Sequence, residues 1–264
     1  MAFQQRPMPY VLVCTAHGPL IMSRLDYQPG VPNQFLELGA YEPFEVSALL
    51  DLLALRHKYY GDRVCAIDCG AHIGVHTIEW CKLMTGWGWV LSIEAQERLY
   101  YALCGNIALN NVFNVKAVNA AVGASDDVVS IPRLDPYQPA RIGSLELKPT
   151  GHTENIGQPI DYNSNMVQVP GSRLDSLALP RVDLIKLDIE GMEVEAIEGG
   201  RNVITQHKPF LVIEYIKSDR NKLTGLLQSL GYTIRQLGRI DFLAVHQTDR
   251  ALGEIAARDW SKER

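Results

Sequence analysis

The sequence predicts an α/β protein: a doubly wound, mostly parallel sheet of seven strands, preceded by an N-terminal hairpin and helix. Three observations predict it. Short apolar runs alternate with stretches of helical periodicity from about residue 44 to residue 230, the rhythm of repeated βα units. The run Val64–Asp68 ends in an acid and turns at once into the loop Cys69-Gly70-Ala71-His72-Ile73-Gly74, which is how a parallel strand delivers its carboxyl end to a small ligand. The apolar runs Trp89–Glu94 and Val182–Asp188 also end in acids, so Asp68, Glu94 and Asp188 can be read together.

Each element follows from its local pattern. Residues 10–24 read as two short strands around His17-Gly18-Pro19, a hairpin. Val46, Leu49, Leu50 and Leu53 recur at helical spacing, in a helix ending near Gly61. Val64–Asp68 is the first parallel strand, Val75–Leu83 its helix, and Trp89–Glu94 the second strand. Leu99, Leu103 and Ile107, at steps of four, trace a helix closing at Asn110-Asn111, and Val115–Ala121 is the third strand. Residues 124–170, rich in proline and glycine, interrupt the rhythm; short strands are expected at Val128–Ile131, Ser144–Leu147 and Val167–Val169. Val182–Asp188, a continuous helix from Met192 to Ile204, and Phe210–Glu214 resume it. An amphipathic helix through Leu223, Leu226, Leu227 and Leu230 stops at Gly231, and Thr233–Leu237 with Asp241–Val245 closes one sheet edge as an antiparallel pair. No repeat or linker divides the chain, so residues 1–264 are read as one domain. Its parts are the hairpin and helix of 1–61, a core of 62–248 with its 124–170 insertion, and a tail of 249–264.

Composition narrows the function classes. A length of 264 residues with 47% apolar content supports a full core. A net charge of −5 with no dense Lys/Arg block argues against nucleic acid as a partner. No apolar stretch approaches the roughly 20 residues that cross a bilayer, and no export signal is evident at the amino terminus. Five cysteines, an odd number set mostly in apolar patterns, read as buried free thiols of a cytoplasmic protein. Cys65 and Cys69 have no second pair at zinc-site spacing, so no metal is expected.

The loop after the first strand has the spacing Asp-x-Gly-x-x-x-Gly rather than Gly-x-Gly-x-x-Gly, with Asp68 where a pyrophosphate fingerprint has its first glycine. A carboxylate there repels a diphosphate and suits a ligand carrying ammonium and sulfonium groups, so S-adenosylmethionine fits better than a nicotinamide dinucleotide. Glu94, about 20 residues past the loop, can accept the two hydroxyls of an adenosine ribose; the plainer alternative is a solvated strand-end acid. Asp68 can cap the loop with one oxygen and meet the methionine ammonium with the other; the plainer alternative is the cap alone. Alternation places Lys186 and Asp188 on one face of a strand that is otherwise apolar, so Lys186 is expected to pair with an acid, Asp188 or Glu214. Asp188 or Glu190 would then stand beside the transferred group as the proton acceptor, unless the pair only orders the loop. His72 could touch the cofactor and His76 could face the pocket mouth; either could equally be a packing residue.

Five blocks, Ile67–Thr77, Ile93–Gln96, Asn119–Gly123, Leu174–Leu177 and Ile185–Glu193, resemble in order and spacing those of the FkbM-type methyltransferase family. The likeness runs from about Tyr41 to Val245, Lys186-x-Asp188-x-Glu190-Gly191-x-Glu193 being its most specific part, and the loop Ile142–Glu146 is similar too. It implies a class I, Rossmann-like S-adenosylmethionine-dependent methyltransferase acting on a hydroxyl of a sugar, glycan or secondary metabolite. Carried over, Asp68, Gly70, Ala71, His72 and Gly74 surround the methionine part, Glu94 with Ala95 the ribose, and Asn119 with Ala121 the adenine edge. Asp188, Glu190, His76 and Lys186 form the catalytic side, with Asp188 also near the cofactor. His72 replaces a common Asn, and Ala95-Gln96 replaces a Pro-Asn-like pair. Tyr137, Arg141, His152 and Tyr162, in the 124–170 segment, are expected to contact the acceptor. N-methylation of an amine, and a non-catalytic module that binds the cofactor and acts through a partner, are the alternatives.

Overall fold

A computed structural model describes residues 8–26, 31–149 and 153–261. An antiparallel hairpin, β1 (Tyr10–Thr15) and β2 (Gly18–Ser23), leads into the helices α1 (Val31–Leu38) and α2 (Pro43–Tyr60). The core then runs β3 (Val64–Cys69), α3 (Val75–Leu83), β4 (Gly88–Glu94), α4 (Glu97–Leu109) and β5 (Val115–Asn119). After it come β6 (Ala121–Val122), β7 (Val128–Pro132), β8 (Met166–Ser172) and a 3-10 turn at Leu174–Leu177. The second half is β9 (Leu184–Leu187), α5 (Glu193–Gly199), α6 (Arg201–His207), β10 (Phe210–Glu214), α7 (Arg220–Ser229), β11 (Tyr232–Leu237), β12 (Asp241–His246) and α8 (Leu252–Ala256).

The main sheet has seven strands in the order β11-β12-β10-β9-β3-β4-β5. The five from β10 to β5 are parallel, and β12 runs antiparallel between β10 and β11. The chain builds outward from β3 through β4 to β5, then returns to lay β9 on the other side of β3. The switch point, where an open α/β sheet binds its ligand, therefore lies between β3 and β9. Alternation along the strands feeds two cores. Ala66, Val90, Leu184 and Val212 pack with α2, α3 and α4, while Ile67, Leu91, Ile185 and Leu211 pack with α5, α6 and α7. Asp68 and Lys186, paired in register, share the α2/α3 side with Leu184.

The hairpin is tied to the core by a buried amide. The Asn106 side chain accepts from Ile21 N (2.5 Å) and donates to Ile21 O (3.1 Å) and to Ile73 O (2.8 Å), so it also braces the loop after β3.

Four expectations are corrected. Ser144–Leu147 is not a strand: Lys217 Nζ donates to Ser144 O (2.9 Å), Gln96 Nε2 to Ile142 O (2.8 Å) and Tyr162 Oη to Glu146 O (3.1 Å). Carbonyls taken by side chains leave no ladder to join. The single helix from Met192 breaks into α5 and α6, because Gly199 approaches the Gly123 backbone, where an added Cβ would stand 2.1 Å from Gly123 O, and Leu174 packs against Gly200. The strand expected through Ala121 ends at Asn119; past Ala120 the chain leaves β4 and pairs with β8 instead. Cys14 is exposed, although Cys65, Cys69 and Cys81 are buried and all five thiols are free. The tail contains the short α8, whose Ile255 is fully buried. No helix among the described residues is long and apolar enough to cross a membrane.

Candidate active site

A cavity of about 300 Å³ opens over the carboxyl ends of β3, β4, β9 and β10. Gly70 makes its floor possible. Its φ of 78° lies in the left-handed region, and an added Cβ would stand 1.8 Å from Asp188 O, so only glycine lets the loops after β3 and β9 touch. Gly70 N and Ala71 N donate to Ile93 O at 2.9 and 3.0 Å, and Asp188 N donates to Cys69 O at 3.2 Å, locking the three strand tips together.

At one end stands Glu94, 5% exposed. Its Oε2 accepts from His72 N and its Oε1 from Gln96 N, both at 2.8 Å. Burial pushes its carboxyl up to about 7 against those two N–H groups. The carboxylate is thus aimed by backbone and keeps lone pairs for a ligand in the cavity. Leu99, Ala121, Val122 and Leu147 give this end apolar walls. Asn119 does not line the cavity; its Nδ2 donates to Glu94 O (2.7 Å) and Ala95 O (3.1 Å), holding the turn that presents Glu94.

The other end gathers acids from α2, β9 and β10: Glu42, Asp188, Glu190 and Glu214 all line it. Lys186, 3% exposed, donates to Asp188 Oδ2 at 2.7 Å and lies 3.7 Å from Glu45 Oε1. The expected pairing with Asp188 therefore holds, and Glu45 takes the place offered to Glu214. Burial alone would raise Asp188, but Lys186, by charge and hydrogen bond, holds its carboxyl below the ordinary value. Burial and the nearby Asp188 charge push Glu190 up to about 8, against Lys217, with which it pairs. Burial and the Asp188 and Glu190 charges push Glu214 up to about 10. Asp188, Glu190 and Glu214 each bring an oxygen within 4.8 Å of one another. One firmly ionised acid therefore sits among proton-bearing neighbours.

Gly70, His72, Glu94, Ala95, Ala121, Asp188 and Glu190 line the cavity as expected; Asp68, Ala71, Gly74, Asn119, His76 and Lys186 do not. Asp68 is 1% exposed, and its Oδ2 accepts from Thr77 Oγ1 at 2.6 Å, so it does not reach a ligand directly. The bond ties Asp68 to α3 through the Thr77 hydroxyl and not to the backbone N–H groups of the loop, where the capping role would have placed it. His76, expected at the pocket mouth, is buried against Trp80 with Nε2 3.5 Å from Glu42 Oε2 and 3.4 Å from Glu45 Oε1. His72 and His76 stand at His-x-x-x-His spacing, which one continuous helix would put on one face. They diverge because α3 begins only after Gly74 (φ 90°), while His72 stays in the loop at φ 51°. His72 Nε2 has no hydrogen-bond partner, and burial pushes its imidazole down to about 4.

Of the loop residues, Arg141 lines the cavity, paired with Glu154, while Tyr137 and Tyr162 do not, and His152 lies outside the described residues. Tyr41, Glu42, Glu45 and Lys217 escaped the sequence reading. Glu42 and Glu45 flank Pro43-Phe44 at the start of α2, a pattern indistinguishable from ordinary acids at a helix N-terminus.

The Methyltransferase FkbM domain family model matches residues 68–237, more than half the chain, beginning at Asp68 and ending with β11. The chain belongs to the FkbM methyltransferase domain family. It is also similar to Methyltransferase 1 of Beauveria bassiana (strain ARSEF 2860), 24% identical over 184 residues that cover 64% of this chain and 72% of that protein. Among solved structures it is similar to the methyltransferase FkbM from Methylobacillus flagellatus KT, with 19% identity and a TM-score of 0.48. That match covers 70% of this chain and 43% of the other, so this FkbM domain spans less than half of its relative. A putative caffeoyl-CoA O-methyltransferase from Staphylococcus aureus is similar at 10% identity and a TM-score of 0.46, over 85% of this chain and 93% of that one.

Proposed function

We propose that the protein transfers a methyl group from S-adenosylmethionine to a hydroxyl of a sugar, glycan or secondary metabolite. The observation that carries this reading is the pairing of Glu94 and Asp188 at opposite ends of one cavity, the first aimed by two backbone N–H groups and the second by a buried ammonium. The residues fit the donor. Glu94 offers acceptor-only oxygens to a ribose diol, and the apolar walls beside it suit a purine. Lys217 and Arg141 are themselves paired with Glu190 and Glu154, so neither is free to hold a phosphate, while Asp188 stays ionised and favours a cation.

When bound, S-adenosylmethionine supplies an already activated methyl. The chain's task is then to hold an acceptor oxygen within about 3 to 3.5 Å in line with the departing sulfur. Asp188, held ionised, accepts the hydrogen bond of the acceptor hydroxyl and keeps its oxygen facing inward. Lys186 fixes Asp188 from behind as a positioning residue. Glu190, with its carboxyl near 8, is matched to accept the hydroxyl proton in its ionised form. His76, buried away from the cavity, has no direct part in this assignment.

Calorimetric titration with S-adenosylmethionine, followed by incubation of hydroxylated and amine-bearing acceptors with isotope-labelled donor, tests the proposal. Stoichiometric binding and label on oxygen are expected. Absence of donor binding would sink the first half, and label only on nitrogen the second.

A further inference from the structure

At the edge of the cavity, α2 and α3 bring Glu42, which lines it, together with Glu45 and His76, which do not, one donor atom from each lying within 4.8 Å of the others. His76 is 6% exposed, and neither ring nitrogen has a hydrogen-bond partner. Its Nε2 is nevertheless aimed at two carboxylate oxygens, 3.5 Å from Glu42 Oε2 and 3.4 Å from Glu45 Oε1, and that Glu45 oxygen is unpartnered by hydrogen bonds too. Contacts of this length are poor hydrogen bonds. They match the edges of a coordination shell, because donors about 2.1 Å from a metal at a tetrahedral angle stand roughly 3.4 Å apart.

Charge points the same way. Lys186 faces Asp188, Glu45, Asp68 and Glu42, four carboxyl groups around one ammonium, and Asp188 already holds it at 2.7 Å. A buried cluster with this excess of acid gains from a cation or must keep protons.

We propose that Glu42, Glu45 and His76 form a binding site for a divalent transition-metal cation, with one imidazole and two carboxylates favouring zinc or manganese over calcium or magnesium. The ion would pin the start of α2 to the first turn of α3 and fix Glu42 in the cavity wall. The site stands whether or not the protein methylates hydroxyls, and its test reads metal rather than turnover.

Full-length protein stripped with a chelator is titrated with Zn²⁺, Mn²⁺ or Co²⁺, retained metal is counted after gel filtration, and the visible spectrum of the Co²⁺ form is recorded. One ion per chain is expected, with Co²⁺ absorption of nitrogen and oxygen coordination. His76→Ala and, independently, the nearly isosteric Glu45→Gln should each weaken binding about a hundredfold or more, the upper end of what loss of a group merely behind a ligand costs. Glu190→Gln should bind as the unaltered chain does. The proposal is overturned if the unaltered chain retains no ion, if the ion is held equally well without His76, or if Glu190→Gln abolishes binding, which would move the ion to the cluster of Asp188, Glu190 and Glu214.

Discussion

The two ends of the cavity orient their carboxylates by different means. At the β4 end, Glu94 is held by His72 N and Gln96 N, so its position is built into the turns on either side. At the β9 end, Asp188 is held by the side chain of Lys186, which itself depends on acids contributed by α2 and β3. Backbone bonds aim a group with little side-chain entropy at stake. A buried ammonium aims more strongly, but each partner is costly to lose. The lesson is a contrast in construction: the Glu94 end is rigid by chain geometry, and the Asp188 end is rigid only while its charges are complete.

The sharpest way to break that contrast is to remove the ammonium. Lys186→Met should destabilise the fold by about 3 to 5 kcal/mol, the scale for stranding buried carboxylates; urea unfolding measures it, and a loss below about 1 kcal/mol would show that the acids do not depend on Lys186. Next, Asp188→Asn should lower turnover about a hundredfold or more while donor binding is retained, with a lower melting temperature because buried Lys186 loses its charged partner. Full activity in that variant would place the acceptor elsewhere. At the other end, Glu94→Ala should weaken S-adenosylmethionine binding by about 1.5 to 3 kcal/mol, the range for hydrogen bonds to a charged group, read by calorimetry. If turnover at saturating donor falls instead, the two ends have been assigned the wrong way round.

The last comparison is of pH. Glu190 is raised from 4.5 to about 8. Between those values the unfolded chain gives up this proton and the folded chain keeps it, so the contribution to stability is greatest below about pH 4.5 and declines as pH rises toward 8. Melting temperatures from pH 5 to pH 8.5 should therefore fall less steeply with pH in Glu190→Gln than in the unaltered chain. Parallel curves would mean that Lys217 keeps Glu190 ionised throughout.

Much of the cavity floor was legible because it is local. Gly70, Gly74, Glu94 and Asp188 follow from a strand, a turn and a period of two, and the observed strand ends at Glu94 and Leu187 agree with that reading. What failed were positions whose neighbours come from far along the chain. His76 has the same first-turn position on α3 whether it faces a ligand or a core. Only the arrival of α2, with Glu42 and Glu45, decides for burial. Ser144–Leu147 looks like a strand until Lys217, Gln96 and Tyr162 claim its carbonyls or those beside it.

By itself, then, the sequence determined the order of the main strands and helices of the core, the seven-stranded, mostly parallel sheet and the acids at the strand tips, because hydrophobic periodicity and turn chemistry act within a few residues. Only the tertiary structure decided which of those acids share a buried cation, which face the cavity and which stand behind it. Burial and electrostatic pairing depend on distances across the fold, and those exist only once α2, β9 and β10 have closed on the glycine loop.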